Sequence, residues 1–317
     1  MPLLILLLSV TSAFAQAKTP GVTDTEVVLG ITTPLSGPAA AWGTTGLAAE
    51  AWAKHVNDQG GIHGRKLRVV MKDDGYVPGR AVANVTDMKE SVFAIVGLLG
   101  SAVLNANKDI VGEAKIPTIY PYGDPQIWAK LPKDKVRYVF AIYTNYVDEG
   151  EFIVQQAAKI VNAKKIAIFY QNDDYGKGYV EGAKRAVQAL GGKVALAAEV
   201  PHEVQDRELG THALKLRDSG ADVVIPVGTV PAGANLIKEM AKVGYKPQIF
   251  APFPYGDHQV MYRLLGELWE GVYYNGNIPT VTDPASVKAV EAVVKQDPKL
   301  KGREAFALAG AIAMATT

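Results

Sequence analysis

The chain has 317 residues, 48% of them apolar, which is enough for two lobes with separate cores. Lysine and arginine number 33 against 32 acids, so no one-signed field points to nucleic acid or an anionic membrane, and no nucleic-acid partner is expected. Cysteine is absent, which excludes disulfides, thiolate catalysis, cysteine metal sites and cysteine-linked lipids.

Residues 1–17 read as an address. Residues 3–10 are apolar almost without a break and run into Thr11-Ser12-Ala13-Phe14-Ala15-Gln16-Ala17, small residues at A-x-A spacing. This predicts a secretory signal cut after Ala15 or Ala17, too short for an ordinary membrane-spanning helix, and export to the periplasm. No Lys or Arg precedes the apolar run, which predicts a start further upstream.

After a polar tether, residues 26–32 read as a strand with Val27, Val28, Leu29 and Ile31. A turn-rich loop follows to Gly43, then a helix over about 44–59 with Ala48, Trp52 and Val56 at i, i+4 and i+8. Strands at 67–72, up to Val96, and at 117–120 alternate with helices at 78–91 and up to about 114. This β-α-β-α-β-α-β run predicts a parallel sheet with helices on both faces. Residues 128–135 read as a loop and 138–143 as a strand leaving the first lobe. The alternation then restarts, with helices at 151–162, 178–190, 205–219 and 232–242 and strands at 166–170, 194–199, 223–227 and 248–251. Residues 271–275 read as a strand returning to the first lobe. The predicted fold is α/β, two doubly wound parallel-sheet lobes joined by a hinge. The lobes are expected at 24–143 plus 276–317 and at 144–275, with a ligand cleft between them. The helix predicted at 304–317 has no cap or closing strand, which predicts a truncated C-terminus.

The most specific chemistry lies between Ile95 and Asp124. A crossover helix makes the two flanking strands parallel, so the Gly100-Ser101 turn and the Tyr122-Gly123-Asp124 loop end on one sheet edge. Open α/β sheets bind ligands at that edge. Ser101 stands where a helix N-cap stands, and its hydroxyl, the unpaired amides behind it and the helix dipole together suit a carboxylate. Asp73-Asp74 and Asp173-Asp174 each follow a strand directly. Adjacent residues point apart, so they read as loop and cap residues rather than catalytic pairs. The five histidines show no metal spacing, and no metal or cofactor is expected. The sequence has no G-x-G-x-x-G after its first strand, no G-x-x-x-x-G-K-[ST] and no G-x-S-x-G, so no enzyme is expected.

With these residues in view, the chain resembles the type I periplasmic binding proteins, and within them the leucine–isoleucine–valine-binding branch that serves ABC importers. The resemblance runs from Glu26 to about Ala315. It is carried by Leu35-Ser36-Gly37-Pro38 with Trp42-Gly43, by Asn57-Asp58-Gln59-Gly60-Gly61-Ile62-His63-Gly64-Arg65-Lys66-Leu67, and by Lys72-Asp73-Asp74. Gly97-Leu98-Leu99-Gly100-Ser101 and Asp174-Tyr175-Gly176-Lys177-Gly178 complete it. It implies a small-molecule ligand held between two closing lobes and an ABC transporter permease in the inner membrane as partner. A monomer is expected.

The resemblance also implies that Ser101 takes the ligand carboxylate, that Trp42 covers the ligand from the first lobe, and that Tyr175 reaches across on closure. Asp124 stands where the family has a threonine, Thr229 where it has a tyrosine, and Phe253 where it has the acid that neutralises the ligand ammonium. A buried ammonium without a carboxylate costs several kcal/mol or so. Two ligands stay open: an amino acid whose ammonium Asp124 neutralises, or an aromatic or organic acid or neutral amide lined by Trp42, Tyr122, Phe253 and Tyr175. The alternatives to a transport receptor are a nucleotide-using doubly wound enzyme and an amide-sensing regulatory module of the same fold.

Overall fold

A computed structural model describes residues 19–317; the expected leader at 1–17 lies outside them. The first sheet contains β1 (Glu26–Thr33), β2 (Lys66–Asp73), β3 (Ala94–Val96), β4 (Thr118–Ile119) and β5 (Val139–Phe140). These run parallel in the order β2-β1-β3-β4-β5. Helices α1 (Ala40–Asp58), α2 (Pro78–Met88) and α3 (Ser101–Ala114) and the short turns α4 (Gln126–Ala129) and α5 (Lys133–Val136) connect them. The second sheet contains β6 (Lys165–Gln171), β7 (Ala195–His202), β8 (Val223–Val227), β9 (Gln248–Ala251) and β10 (Tyr273–Tyr274). It too is parallel, in the order β10-β9-β8-β6-β7. Its helices are α6 (Tyr146–Ile160), α7 (Asp174–Ala189), α8 (Gly210–Asp218), α9 (Val230–Lys242) and α10 (His258–Leu265). The chain then returns through α11 (Pro284–Gln296) and α12 (Glu304–Ala315), which pack on α1. Both expected parallel sheets are present.

Central strands covered on both faces explain the apolar runs. Every residue of β3 and of β8 is buried. Two of the sequence motifs turn out to be fastenings that hold the sheet edge. The Asn57 side chain exchanges two hydrogen bonds with the Leu67 backbone, donating to its carbonyl at 2.7 Å and accepting its amide at 2.8 Å. Asp73 accepts the Ser36 hydroxyl at 2.6 Å and the Ser36 amide at 3.2 Å, tying the loop after β1 to the end of β2.

Several elements differ from the sequence reading. Helix α1 begins at Ala40, so Trp42 and Gly43 lie in its first turn and not in a loop. A Cβ on Gly43 would stand 2.2 Å from the Pro34 carbonyl oxygen, so only glycine lets the helix open against that loop. The loop expected at 128–135 contains the helical turns α4 and α5. Only Val139–Phe140 of the strand expected at 138–143 pairs, as the edge of the first sheet. Tyr273–Tyr274 likewise pairs with β9 as the edge of the second sheet and does not return toward the first. Helix α8 starts at Gly210, not 205, because Glu203 and Asp206 close a turn upstream (Glu203 N–H to Asp206 Oδ2, 2.8 Å).

Asp257 fastens the two ends of the chain's return. Its buried carboxylate accepts the Val260 amide at 3.1 Å, opening α10, and the Ala305 and Phe306 amides at 3.2 and 3.4 Å, opening α12. Asp257→Ala strands these amides and should destabilise the protein by about 2 kcal/mol, read as a lower midpoint in urea unfolding. An unchanged midpoint would remove Asp257 from the account of how α12 is held.

Candidate functional site

Because all strands within each sheet run parallel, the loops that follow them collect at one edge, and the two edges face each other across a cavity. Ala39 follows β1, Tyr76 follows β2, Leu99 to Ser101 follow β3 and Tyr122 follows β4. From the second sheet come Gln171 at the end of β6, Gly228 and Thr229 after β8, and Pro254 after β9. Trp42, Tyr175, Tyr143 and Tyr146 complete the wall. The free volume is about 40 Å³, room for about one water at ~30 Å³. The side chains themselves therefore nearly fill the space between the sheets.

The opening of α3 forms the polar floor. Gly100 is the N-cap, at φ +103°, and Ser101 is the first helical residue, where the sequence reading made Ser101 the cap. Glycine is required twice over at 100: the φ is left-handed, and a Cβ would meet the Tyr76 ring at 2.5 Å. The Ser101 hydroxyl, freed from capping, accepts the Asp124 amide at 3.2 Å and lies beside the Tyr146 hydroxyl. The Gly100-Ser101 turn and the Tyr122–Asp124 loop therefore meet, as their shared edge requires. Tyr76 sits at φ +64°, held by its amide donating to Asp74 Oδ1 at 2.8 Å. Asp74 is fully buried, also accepts the Thr32 hydroxyl at 2.9 Å, and has its pKa raised by that burial.

On the facing side, Thr229 caps α9, accepting the Ala232 amide at 3.4 Å, and Asp173 caps α7 through the Gly176 amide at 3.2 Å. Gln171 donates from its Nε2 to Asp173 at 2.6 Å, which fixes the orientation of its amide. Its buried Oε1 has no partner and so calls for a donor. Tyr175 stands edge-on to Tyr146 with ring centroids 4.9 Å apart. Trp42 spans the two sides, donating its indole N–H to the Pro254 carbonyl at 3.2 Å.

Of the residues singled out in the sequence, Trp42, Ser101, Tyr122, Tyr175 and Thr229 line this cavity. Asp124 does not: its carboxylate turns onto the Gln126 amide at 2.9 Å, and burial raises its pKa. Phe253 stands behind Trp42, 6.2 Å between centroids, and lines a neighbouring cavity instead. Tyr76, Tyr143, Tyr146 and Gln171 escaped the sequence reading. Tyr76 and Gln171 end strands on the ligand edge, the same signal that picked out Ser101. Tyr143 lies where the chain crosses between sheets, where nothing local marks it, and Tyr146 opens α6 behind the Asn145 cap. Among the described residues lining the cavity, no side chain is a Lys, Arg, His, Asp or Glu.

The sequence pattern of periplasmic binding proteins matches residues 26–316. The chain belongs to the periplasmic binding protein family. Its members are extracytoplasmic, non-enzymatic solute-binding proteins. The chain is 28% identical to an amino acid binding protein of Pseudomonas aeruginosa over 276 residues, 86% of this chain and 71% of that one. It is 28% identical to Leu/Ile/Val-binding protein homolog 1 of Brucella abortus over 235 residues, 71% of this chain and 60% of that protein. The match thus spans less than two thirds of the Brucella relative's length. Among solved structures, a fatty acid ABC transporter substrate-binding protein from Thermomonospora curvata superposes with a TM-score of 0.82 at 28% identity, covering 93% of this chain and 76% of that one. A branched-chain amino acid transporter substrate binding protein from Streptococcus pneumoniae, solved with isoleucine, gives 0.80 at 19% identity, covering 92% and 82%, a likeness of fold alone. No described helix of this periplasmic binding protein is long and apolar enough to cross a membrane.

Beneath the cavity, Glu149 ties the segments that link the sheets. It accepts the Tyr179 hydroxyl, the Phe253 amide at 2.9 Å and the Asn275 side-chain amide at 2.6 Å. Burial pushes its pKa up to about 7, and the three hydrogen bonds offset part of that rise. The folded protein then holds this proton more tightly than the unfolded chain does. The resulting stability is full below the ordinary carboxylate pKa, declines as pH rises through about 7, and is flat above. Between pH 5 and 8 the wild type should lose stability relative to Glu149→Gln, by on the order of 3 kcal/mol at most. Thermal unfolding of both proteins across that range checks this. Parallel profiles would show that Glu149 titrates as a free carboxylate.

Proposed function

We propose that this chain is the solute receptor of an ABC importer and that its ligand is a small monocarboxylate with an apolar or flat body and no ammonium. The observation that carries the ligand class is the wall between the sheets, which offers amides, hydroxyls and aromatic rings but no ionised side chain among the described residues. A carboxylate finds the opening of α3, whose first turn holds no acid, together with the Ser101 hydroxyl. An ammonium finds no carboxylate there, and its burial unpaired costs several kcal/mol or so. Asp124, the acid of the loop that meets Ser101 at the sheet edge, is turned away onto the Gln126 amide. The ligand of the Thermomonospora neighbour, a fatty acid, has the same charge pattern; the ligand of the branched-chain amino acid binder does not.

In this reading Ser101 and the α3 amides hold the carboxylate, while Trp42, Tyr122 and Tyr175 pack on the body. Thr229 and the free Gln171 Oε1 serve a second polar group or a water. The lobes are 24–143 plus 276–317 and 144–275. They close on the ligand because it has higher affinity for the closed arrangement, which the permease then meets. Residues 1–17 direct the chain to the periplasm, where it acts as a monomer.

A matched pair tests this most cheaply: leucine against 4-methylpentanoate, the same skeleton without the amine. At about a hundred times its dissociation constant, the deaminated acid should stabilise the protein by ~2.7 kcal/mol in thermal unfolding, and leucine by less. Ser101→Ala should weaken the acid about tenfold, one charge-assisted hydrogen bond's worth. Stabilisation by leucine alone would restore the amino-acid ligand, and equal affinity of Ser101→Ala for the acid would remove Ser101 from the site.

A further inference from the structure

We propose that the ligand site has a second compartment behind Trp42, that Trp42 is the gate between the two, and that the ligand is an unbranched monocarboxylate of medium chain length whose tail occupies it. The inference rests on the carboxylate reading of the central cavity.

The central cavity alone is too small for the class of ligand its chemistry selects. It offers about 40 Å³, whereas a neighbouring cavity of about 290 Å³ shares Trp42 as a wall. The larger space has room for roughly ten groups of water's size, at about 30 Å³ each. Its inner surface is apolar, with the buried Phe253, Phe306 and Ala309 and the half-buried Ile278. Asp257 also borders it, but both its oxygens are engaged, Oδ1 by the Val260 amide and Oδ2 by the amides that open α12. The polar Thr280 and Thr282 are exposed and lie on the solvent side. His258, half-buried, and the exposed Asn277 also border the compartment; its apolar side fits a chain of methylenes, and the charged end is assigned to Ser101 by the chemistry of the central cavity.

Trp42 is the wall the two spaces share, packed against apolar clusters of both sheets. Its indole is held by one hydrogen bond to the Pro254 carbonyl and by edge contacts with Phe306 (4.9 Å), Tyr122 (6.1 Å) and Phe253 (6.2 Å). Swinging it aside breaks that one hydrogen bond and joins the two spaces. A ligand too short to reach the gate leaves it shut, and a longer one replaces the indole's contacts with its own.

A chain-length series tests the proposal. Dissociation constants for acetate, butanoate, hexanoate, octanoate, decanoate and dodecanoate are measured by calorimetry, each below its micelle concentration, on the wild type and on Ile278→Trp. In the wild type, affinity should rise about fourfold per methylene from hexanoate onward, the increment for burying a CH₂ group, and level off near dodecanoate. Ile278, half-buried in the segment after β10, lines the compartment, and Ile278→Trp plugs it, so decanoate and dodecanoate should then bind no tighter than hexanoate. Hexanoate binding with no further gain on lengthening would overturn the second compartment while leaving the carboxylate site intact. A steep rise that Ile278→Trp leaves untouched would also overturn it, placing the tail on some other surface. Binding of no acid in the series would bring down the underlying carboxylate reading as well.

Discussion

The direction of the strands is the constraint on which the rest of the molecule depends. In each sheet all five strands run the same way, so every loop that carries a functional side chain is delivered to one edge. Two such edges face each other, and the helices that start there, α1, α3, α7 and α9, bring their N-terminal ends toward one small volume. Two of those ends are occupied by the protein itself, α7 by Asp173 and α9 by Thr229. The openings of α1 and α3 have no side-chain cap, at Ala39 and Gly100, and α3 adds the Ser101 hydroxyl. An anion is the natural complement of that arrangement.

The aromatic rings decide what kind of anion. Trp42, Tyr122, Tyr143, Tyr146, Tyr175 and Phe253 form a continuous set of edge-on and stacked contacts through the middle of the molecule. Such pairs are worth ~1 kcal/mol each beyond the area they bury, and among the described residues no Asp or Glu lines the cavity. The same set couples the site to the links between the sheets. Phe253 donates its amide to Glu149, which also holds Asn275 at the start of the second linking segment. Phe253 therefore connects the wall of the cavity to the segments that join the two sheets.

Much of this was legible in the sequence, for physical reasons that can be named. Apolar runs such as Val223–Val227 declare buried parallel strands, and the βαβ rule then places Ser101 beside the Tyr122–Asp124 loop without any structure. The Asp73 and Asp173 pairs read correctly as loop and cap residues, because a residue directly after a strand has backbone amides within reach. The N-cap assignment failed by one residue, since a left-handed glycine can begin a helix as well as a serine can. Asp124 and Phe253 were placed by analogy with positions in relatives, and side-chain direction within a loop is not encoded in position alone. Tyr143 lies in a crossing segment without periodicity, and Tyr146 opens α6, which the Asn145 cap starts well before the helix expected at 151. Where strand ends are short, as at β5 and β10, the neighbouring strand decides how much of an extended run pairs.

The central claim is that an anion docks on the opening of α3 between the two sheets, with its body among the rings. The most direct test is the crystal structure of the protein with a bound monocarboxylate. The account predicts the carboxylate within hydrogen-bonding distance of Ser101 Oγ and the first amides of α3, with no carboxylate side chain touching the ligand. A ligand bound outside the space between the sheets, or one whose charged end points away from Ser101, would contradict it.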